Sequence, residues 1–181
     1  MKECYIFLTH GFEEIEALAT LDILRRGGVS VKSVSLIEGL TVTGGHGVPV
    51  VADMLFDEVD FSKAEMVILP GGTVKIDAHD GLKRAILAHV AKERKVAAIC
   101  AAPMVLGGLG LLQKKEATCY PGFEKYLKGA TLRTQEAVVV DGVITTGRGP
   151  GLTFAFAFEL LRQLKGQDVA DEVAGQLLLR I

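Results

Sequence analysis

The three cysteines, Cys4, Cys100 and Cys119, form no Cys-x-x-Cys pair and no metal-ligand spacing. No apolar stretch reaches the roughly 20 residues needed to cross a bilayer. An odd, low cysteine count with no secretory leader is the usage of a reducing compartment, so a cytoplasmic location is expected, with no membrane partner. No long basic run occurs and the formal net charge is −2, which gives nucleic acid or an anionic surface nothing to bind. The phosphate-cradling pattern GxxxxGK is absent as well, so nucleotide binding is not favoured. All four histidines (His10, His46, His79 and His89) precede Cys100, so the chain has no downstream imidazole base. No internal repeat, linker or low-complexity stretch divides the 181 residues, and one domain over residues 1–181 is expected.

What is present is an alternation of strand and helix. Cys4 to Thr9 is an apolar run ending in His10-Gly11, which predicts a first strand and turn. Glu13 to Arg26 carries Ile15, Leu18, Ala19, Leu21, Ile23 and Leu24 at helical spacing and closes on Gly27-Gly28. Val29 to Ile37 predicts a second strand, and Leu40–Thr43 with Val48–Ala52 a hairpin about Gly44-Gly45-His46-Gly47. Met66 to Leu69 predicts a buried strand stopped by Pro70-Gly71-Gly72, and Leu82 to Arg94 an amphipathic helix that places His89 at the surface. Glu116 to Tyr120 predicts a short strand, and Ala137–Val140 with Val143–Thr146 a hairpin about Asp141-Gly142. Pro150, at a first-turn position, opens a helix to Leu164, and Val169 to Leu179 follows as a last amphipathic segment. This order predicts an α/β fold with a mostly parallel sheet and helices on both faces. Ligands bind such sheets at the carboxyl ends of the strands, where the loops after Leu8, Leu69 and Ile99 gather.

Cys100 stands between an apolar strand, Val96 to Ile99, and a helix opened by Pro103 and continued by Met104, Val105, Leu106 and Leu109. So little chain separates the two that the turn must be sharp, as in a nucleophile elbow. A helix N-terminus there favours thiolate over thiol. The alternative is a small buried cysteine that fills core. Glu13 and Glu14 suit the positive end of the first helix. Glu16 is flanked by Ile15 and Ala17; partly buried, it would hold its proton and could hydrogen-bond a thiolate or shuttle protons. Gly71-Gly72 reads either as a tight turn or as two backbone N–H donors aimed at a developing oxyanion. His10 falls at a strand end near the expected site. Cys119, Tyr120 and Pro121 follow a strand and reach toward the same region, although Cys119 suits core better.

Four segments, Gly11-Phe12-Glu13-Glu14-Ile15-Glu16-Ala17, Leu69-Pro70-Gly71-Gly72, Ala98-Ile99-Cys100-Ala101-Ala102-Pro103 and Gly147-Arg148-Gly149-Pro150-Gly151, occur in order and at matching spacing. Together they resemble the ThiJ/PfpI superfamily, in the branch of the Parkinson-disease-associated deglycase and its bacterial relatives. The resemblance covers essentially the whole chain. It implies a flavodoxin-like three-layer α/β sandwich and a homodimer. It also implies that Cys100 is an oxidation-prone nucleophile hydrogen-bonded by Glu16, and that Gly71, Gly72 and the backbone around Ala101 are oxyanion donors. Glu13, Arg26 and Arg148 match positions near the dimer contact, and His46 falls where relatives present an arginine toward the other subunit's nucleophile.

The chain departs from the pattern twice. Tyr120 precedes Pro121 where many relatives have histidine, and a phenol that titrates near 10 is a poor base at neutral pH. A Cys-His-acid protease is therefore not expected. Ala102 stands where many relatives have glycine, so its methyl is expected to crowd the pocket. The expected function is cofactor-independent chemistry on a small electrophile, with 2-oxoaldehydes attacked by Cys100 and protons moved by Glu16. No metal is called for. The other expectation is a redox sensor or stress-response protein whose Cys100 is oxidised to sulfinate. The thiamine-biosynthesis role attached to some relatives finds no thiazole or phosphate site here.

Overall fold

The computed structural model describes residues 2–179. Among them the elements run β1 (Glu3–Leu8), α1 (Glu14–Arg26), β2 (Val31–Ser35), β3 (Thr41–Thr43), β4 (Pro49–Val51), β5 (Met54–Leu55), β6 (Ala64–Leu69), α2 (Asp80–Val90), β7 (Lys95–Ile99) and α3 (Pro103–Gly108). Then follow β8 (Glu116–Ala117), β9 (Thr131–Leu132), β10 (Val138–Asp141), β11 (Ile144–Gly147), α4 (Thr153–Lys165) and α5 (Gln167–Gln176). Seven strands form one sheet in the order β10-β11-β7-β6-β1-β2-β5. Every pairing in it is parallel except β10 with β11, the hairpin about Asp141-Gly142.

Strand alternation splits the core in two. Ile6, Leu8, Met66, Ile68, Ala97 and Ile99 pack with Ile23 and Leu24 of α1 and Phe156, Leu160 and Leu161 of α4. Their neighbours Tyr5, Phe7, Val67, Leu69, Val96 and Ala98 pack on the other face with Leu82 and Ile86 of α2 and Val105 and Leu106 of α3. Helices therefore cover both faces of a near-continuously apolar sheet, as parallel strands require. Each fully buried Phe or Leu side chain contributes about 2–3 kcal/mol by leaving water. No helix among the described residues is long and apolar enough to cross a membrane.

Several boundaries differ from the pattern of the sequence, each for a local reason. The helix expected to reach Arg94 stops at Val90, and Glu93 turns the chain with φ 54°. His89 is buried rather than on the surface: it is 3% exposed, and its Nε2 lies 3.0 Å from the Lys95 carbonyl. His79 caps α2, its Nδ1 accepting from the Leu82 N–H. The strand expected over Glu116 to Tyr120 is only two residues long, because the next donors are spent elsewhere. Thr118 N–H goes to Thr146 Oγ1 and Tyr120 N–H to the Cys100 carbonyl. Pro150 opens a 3-10 turn, and α4 begins at Thr153, whose hydroxyl donates to the Pro150 carbonyl. The last helix begins and ends earlier than expected, at Gln167 and Gln176. The two-residue β5 was not legible in the sequence. Ala102 is fully buried in the core beneath α3, so its methyl fills core rather than crowding a pocket.

The helix after the elbow is held by a close backbone contact. A Cβ on Gly107 would lie 2.1 Å from the Tyr126 carbonyl oxygen. Gly107→Ala is expected to cost about 1–3 kcal/mol, lowering the midpoint of thermal unfolding by several degrees, roughly 2–4 °C per kcal/mol at this size.

Candidate active site

Cys100 has φ 65°, a left-handed backbone in a residue other than glycine. That conformation costs on the order of 1–2 kcal/mol and persists only where surrounding bonds impose it. Here they do. Cys100 N–H donates to the Gly147 carbonyl at 2.9 Å, the Cys100 carbonyl accepts from Tyr120 N–H at 2.9 Å, and Ala102 N–H returns to the Ile99 carbonyl at 3.1 Å. The turn lifts the cysteine off the end of β7, leaving it 8% exposed.

Glu16 reaches the same point from the first turn of α1. Its backbone N–H donates to the Glu13 carboxylate at 2.7 Å, which caps the helix. Its side chain is completely buried, and Oε2 accepts from Gly71 N–H at 2.7 Å. Glu13 N–H in turn donates to the Gly71 carbonyl at 3.0 Å, so the helix start and the loop after β6 are stitched in both directions. Only glycine fits between them. A Cβ on Gly71 would sit 2.7 Å from Cys100 Cβ and 2.8 Å from Glu16 Oε2. Gly72, at φ 91°, would place a Cβ 2.3 Å from Glu13 N.

Burial pushes the Glu16 carboxyl up to about 7, against the pull of the Gly71 N–H and of the Cys100 thiol beside it. Burial, and then the Glu16 charge, push the Cys100 thiol up to about 12, while the N–H groups of Ala101 and Gly72 pull it down. The helix-terminus effect expected from the sequence is thus outweighed: α3 is only six residues long, and the sulfur is mostly buried. A neutral Glu16 removes the charge that opposes a thiolate. Glu16 Oε1 is buried without a well-formed hydrogen bond. An ionised carboxylate with a dry, unpaired oxygen is costly, whereas a protonated Oε1 has the neighbouring sulfur to donate to. With Glu16 near 7 and the thiol raised to about 12, Glu16 gives up its proton first, and above neutrality the pair keeps one proton on the Cys100 sulfur, directed at the buried carboxylate.

The other residues singled out in the sequence fall as follows. The Gly71 N–H is taken by Glu16 and is not a free oxyanion donor; Gly72 and Ala101 direct theirs at the sulfur. Cys119 is 4% exposed and packs in the core on the opposite face of the sheet. His10 is exposed and its Nδ1 accepts from Thr43 N–H at 3.1 Å, which ties it to the β3–β4 hairpin. Tyr120 is 45% exposed and Arg148 half-buried, and both line one cavity. Arg26 pairs with Asp22 along α1. Glu14 does more than complement the helix dipole. Its carboxylate accepts from His46 N–H at 2.6 Å and meets His46 Nδ1 at 2.8 Å, fastening the hairpin tip to α1. That pairing raises His46, through its hydrogen bond to Glu14, and no sequence spacing announces it. Glu13, Glu14 and His46 each offer a possible metal-ligand atom within 4.8 Å of one another, but the two carboxylates are engaged in the helix cap and this latch.

The DJ-1/PfpI family matches residues 2–163 of this chain. The Arabidopsis thaliana DJ-1 homologs A and B are 39% and 37% identical over 184 and 183 residues, each match covering 99% of this chain. They are longer proteins: the matches cover 47% and 42% of them, so the chain spans about half their length. A Pyrococcus horikoshii protein named a deglycase is 32% identical over 164 residues, covering 88% of this chain and 98% of its own. The solved structure of oxidised DJ-1 from Toxoplasma gondii superposes with a TM-score of 0.94 at 32% identity, covering 100% of both chains.

Two outcomes follow from the Cys100–Glu16 pair. Alkylation of Cys100, followed against pH, is expected to rise only above the unperturbed thiol value of about 8.5 and at lower pH in Glu16→Gln, which removes the opposing charge; a wild-type midpoint below about 8.5 would contradict the raised thiol. Glu16 binds its proton more tightly folded than unfolded, so stability is greatest below its ordinary value of 4.5 and falls as pH rises through about 7. The fall is on the order of 3 kcal/mol, and denaturant titrations of Glu16→Gln are expected to lack it.

Proposed function

The chain belongs to the DJ-1/PfpI family, and from that membership we propose that it is a cysteine-dependent, cofactor-independent enzyme acting on small 2-oxoaldehydes. The observation that carries the reading is the buried Glu16 carboxyl, raised to about 7 beside a cysteine held on a strained elbow. An acid–base group poised near neutrality is what proton transfer between adjacent carbons requires. The relative named a deglycase supports the same class of chemistry.

The steps balance without an external oxidant or reductant. The Cys100 sulfur adds to the aldehyde carbon, forming a C–S bond, and the carbonyl oxygen takes a proton to give a hemithioacetal. Once the sulfur has spent its charge, the Gly72 and Ala101 N–H groups are free to face the new oxygen. Glu16, now a carboxylate, removes the proton from the former aldehyde carbon and returns one to the neighbouring carbon. The first carbon is thereby oxidised and the second reduced, leaving a 2-hydroxy thioester on Cys100. Water cleaves that thioester, releasing a 2-hydroxy acid and the thiol, so methylglyoxal yields lactate. The absence of histidine before Pro121 does not interrupt this route, because Glu16 supplies the base. The reading includes a homodimer with Glu13, Arg26 and Arg148 near the contact. It also brings His46, whose side chain is 76% exposed, toward Cys100 of the partner subunit.

A second reading is favoured by the oxidised state of the Toxoplasma gondii structure. A thiolate paired with a carboxylic acid oxidises readily, and the acid can hydrogen-bond a sulfinate. Cys100 would then report peroxide, with little turnover.

Lactate formation from methylglyoxal is expected to fall to background in Cys100→Ser and by roughly 10²-fold or more in Glu16→Gln, which keeps the shape but loses the base. Unchanged turnover in Cys100→Ser would overturn the enzyme reading. Mass spectrometry after mild peroxide is expected to find two added oxygens on Cys100; oxidation confined to Cys4 or Cys119 would remove the sensor reading.

A further inference from the structure

Two carboxyls share the first turn of α1: Glu13 is its N-cap and Glu16 its third residue. The cap bond holds a Glu13 carboxylate oxygen 2.7 Å from the Glu16 nitrogen. The Glu13 N–H meets the Gly71 carbonyl at 3.0 Å, and the Gly71 N–H meets Glu16 Oε2 at 2.7 Å. Glu13 is thus bonded both to the backbone of Glu16 and to the residue that holds the Glu16 side chain. Gly72 closes the arrangement from outside, since a Cβ there would lie 2.3 Å from the Glu13 nitrogen.

The two acids are not equivalent. Glu13 is 9% exposed and its carboxylate accepts a main-chain donor, whereas Glu16 is fully buried with Oε1 unpartnered. Neighbouring carboxyls at this spacing repel when both are ionised. Their unequal surroundings divide the work: one acid carries charge and the other holds a proton near neutrality. The Glu13 charge adds to burial in holding the proton on Glu16. Among the described residues no basic side chain offsets it there; the groups acting on Glu16 are the Gly71 N–H, the Cys100 thiol and Glu13. From the hairpin, His46 comes within 4.8 Å of Glu13, but its ring is bonded to Glu14. A dimer contact at this end would take water from Glu13 and lengthen the reach of its charge.

We propose that Glu13 is a positioning residue for the proton transfer assigned to Glu16: its cap fixes the turn that carries Glu16, and its charge makes Glu16 the stronger base. The proposal rests on the reading of Glu16 as the base, and deepens it. Glu16 takes a proton from the former aldehyde carbon and passes one to the adjacent carbon. A negative charge beside it favours the protonated form reached in the first half of that transfer. Glu13 exchanges no proton in this scheme.

The test follows the infrared C=O band of the protonated Glu16 carboxyl against pH in the intact protein, the band being assigned by its loss in Glu16→Gln. Three variants separate cap from charge. Glu13→Asp keeps both, Glu13→Ser keeps a capping oxygen without charge, and Glu13→Gln keeps the size without charge. The wild-type midpoint is expected at about 7. Glu13→Ser and Glu13→Gln are expected to lower it by about one pH unit, the effect of one like charge nearby, and Glu13→Asp to stay close to wild type. Above both midpoints, methylglyoxal turnover is expected to fall about threefold in Glu13→Ser and Glu13→Gln, because a weaker base moves protons more slowly. If the midpoint follows the Glu13 charge while wild type turns over no 2-oxoaldehyde, the coupling of the two acids stands and the oxoaldehyde reading fails. If Glu13→Ser and Glu13→Gln titrate with wild type, if Glu13→Asp falls as far as they do, or if turnover is unchanged where the midpoint has fallen, the proposal is overturned.

Discussion

One hydrogen bond organises the centre of this molecule: the Gly71 N–H donated to the buried Glu16 carboxyl. Among the described residues it is the only well-formed contact that the Glu16 side-chain oxygens make. It brings three parts of the chain to one point: the start of α1, the loop after β6 and the elbow after β7. A buried carboxyl with one donor sits between two costs. With no donor, even its neutral form would be poorly satisfied; with two or three it would ionise freely and lose its proton-holding capacity. A single N–H holds the group in place and leaves the second oxygen to the sulfur. The glycine is required because a side chain there would displace both Cys100 and Glu16 at once.

The sheet makes this convergence possible. β1, β6 and β7 are adjacent and parallel, so their carboxyl ends open on the same side and the loops that follow meet without long excursions. The alternation that separates Ile99 from Ala98 sends one to each core, and the turn at Cys100 breaks the alternation, leaving Cys100 on the same core as Ile99 at its edge. Strain at the elbow is sustained by bonds from two remote segments, while the two cores provide the stability to hold it.

Much of this arrangement was legible in the residues. Apolar runs punctuated by Gly-Gly, Pro-Gly and Asp-Gly marked the strands and both hairpins, since turn chemistry is local. Cys100 on its short turn and Glu16 between Ile15 and Ala17 were visible for the same reason: each sits against the grain of its own segment. What stayed hidden depends on long-range partners. Nothing in the spacing of Glu14 and His46 announces that they meet, or that Gly71 spends its N–H on Glu16 rather than keeping it for substrate. His89 has the position of a surface residue by helical period, yet the Lys95 carbonyl satisfies it inside. The shortening of β8 follows from where Thr118 and Tyr120 place their donors, which only the folded neighbours decide. The helix dipole argument for a thiolate was sound in sign but gave no measure of burial.

The clamp on Cys100 has a consequence for biosynthesis. Its main chain is fixed by Tyr120 and Gly147, both later in the sequence. A growing polypeptide on the ribosome therefore presents residue 100 as an ordinary thiol on a loose segment until Gly147 has emerged. The left-handed elbow at Cys100 closes only when both segments are in place, and a chain cut before Gly147 cannot hold it.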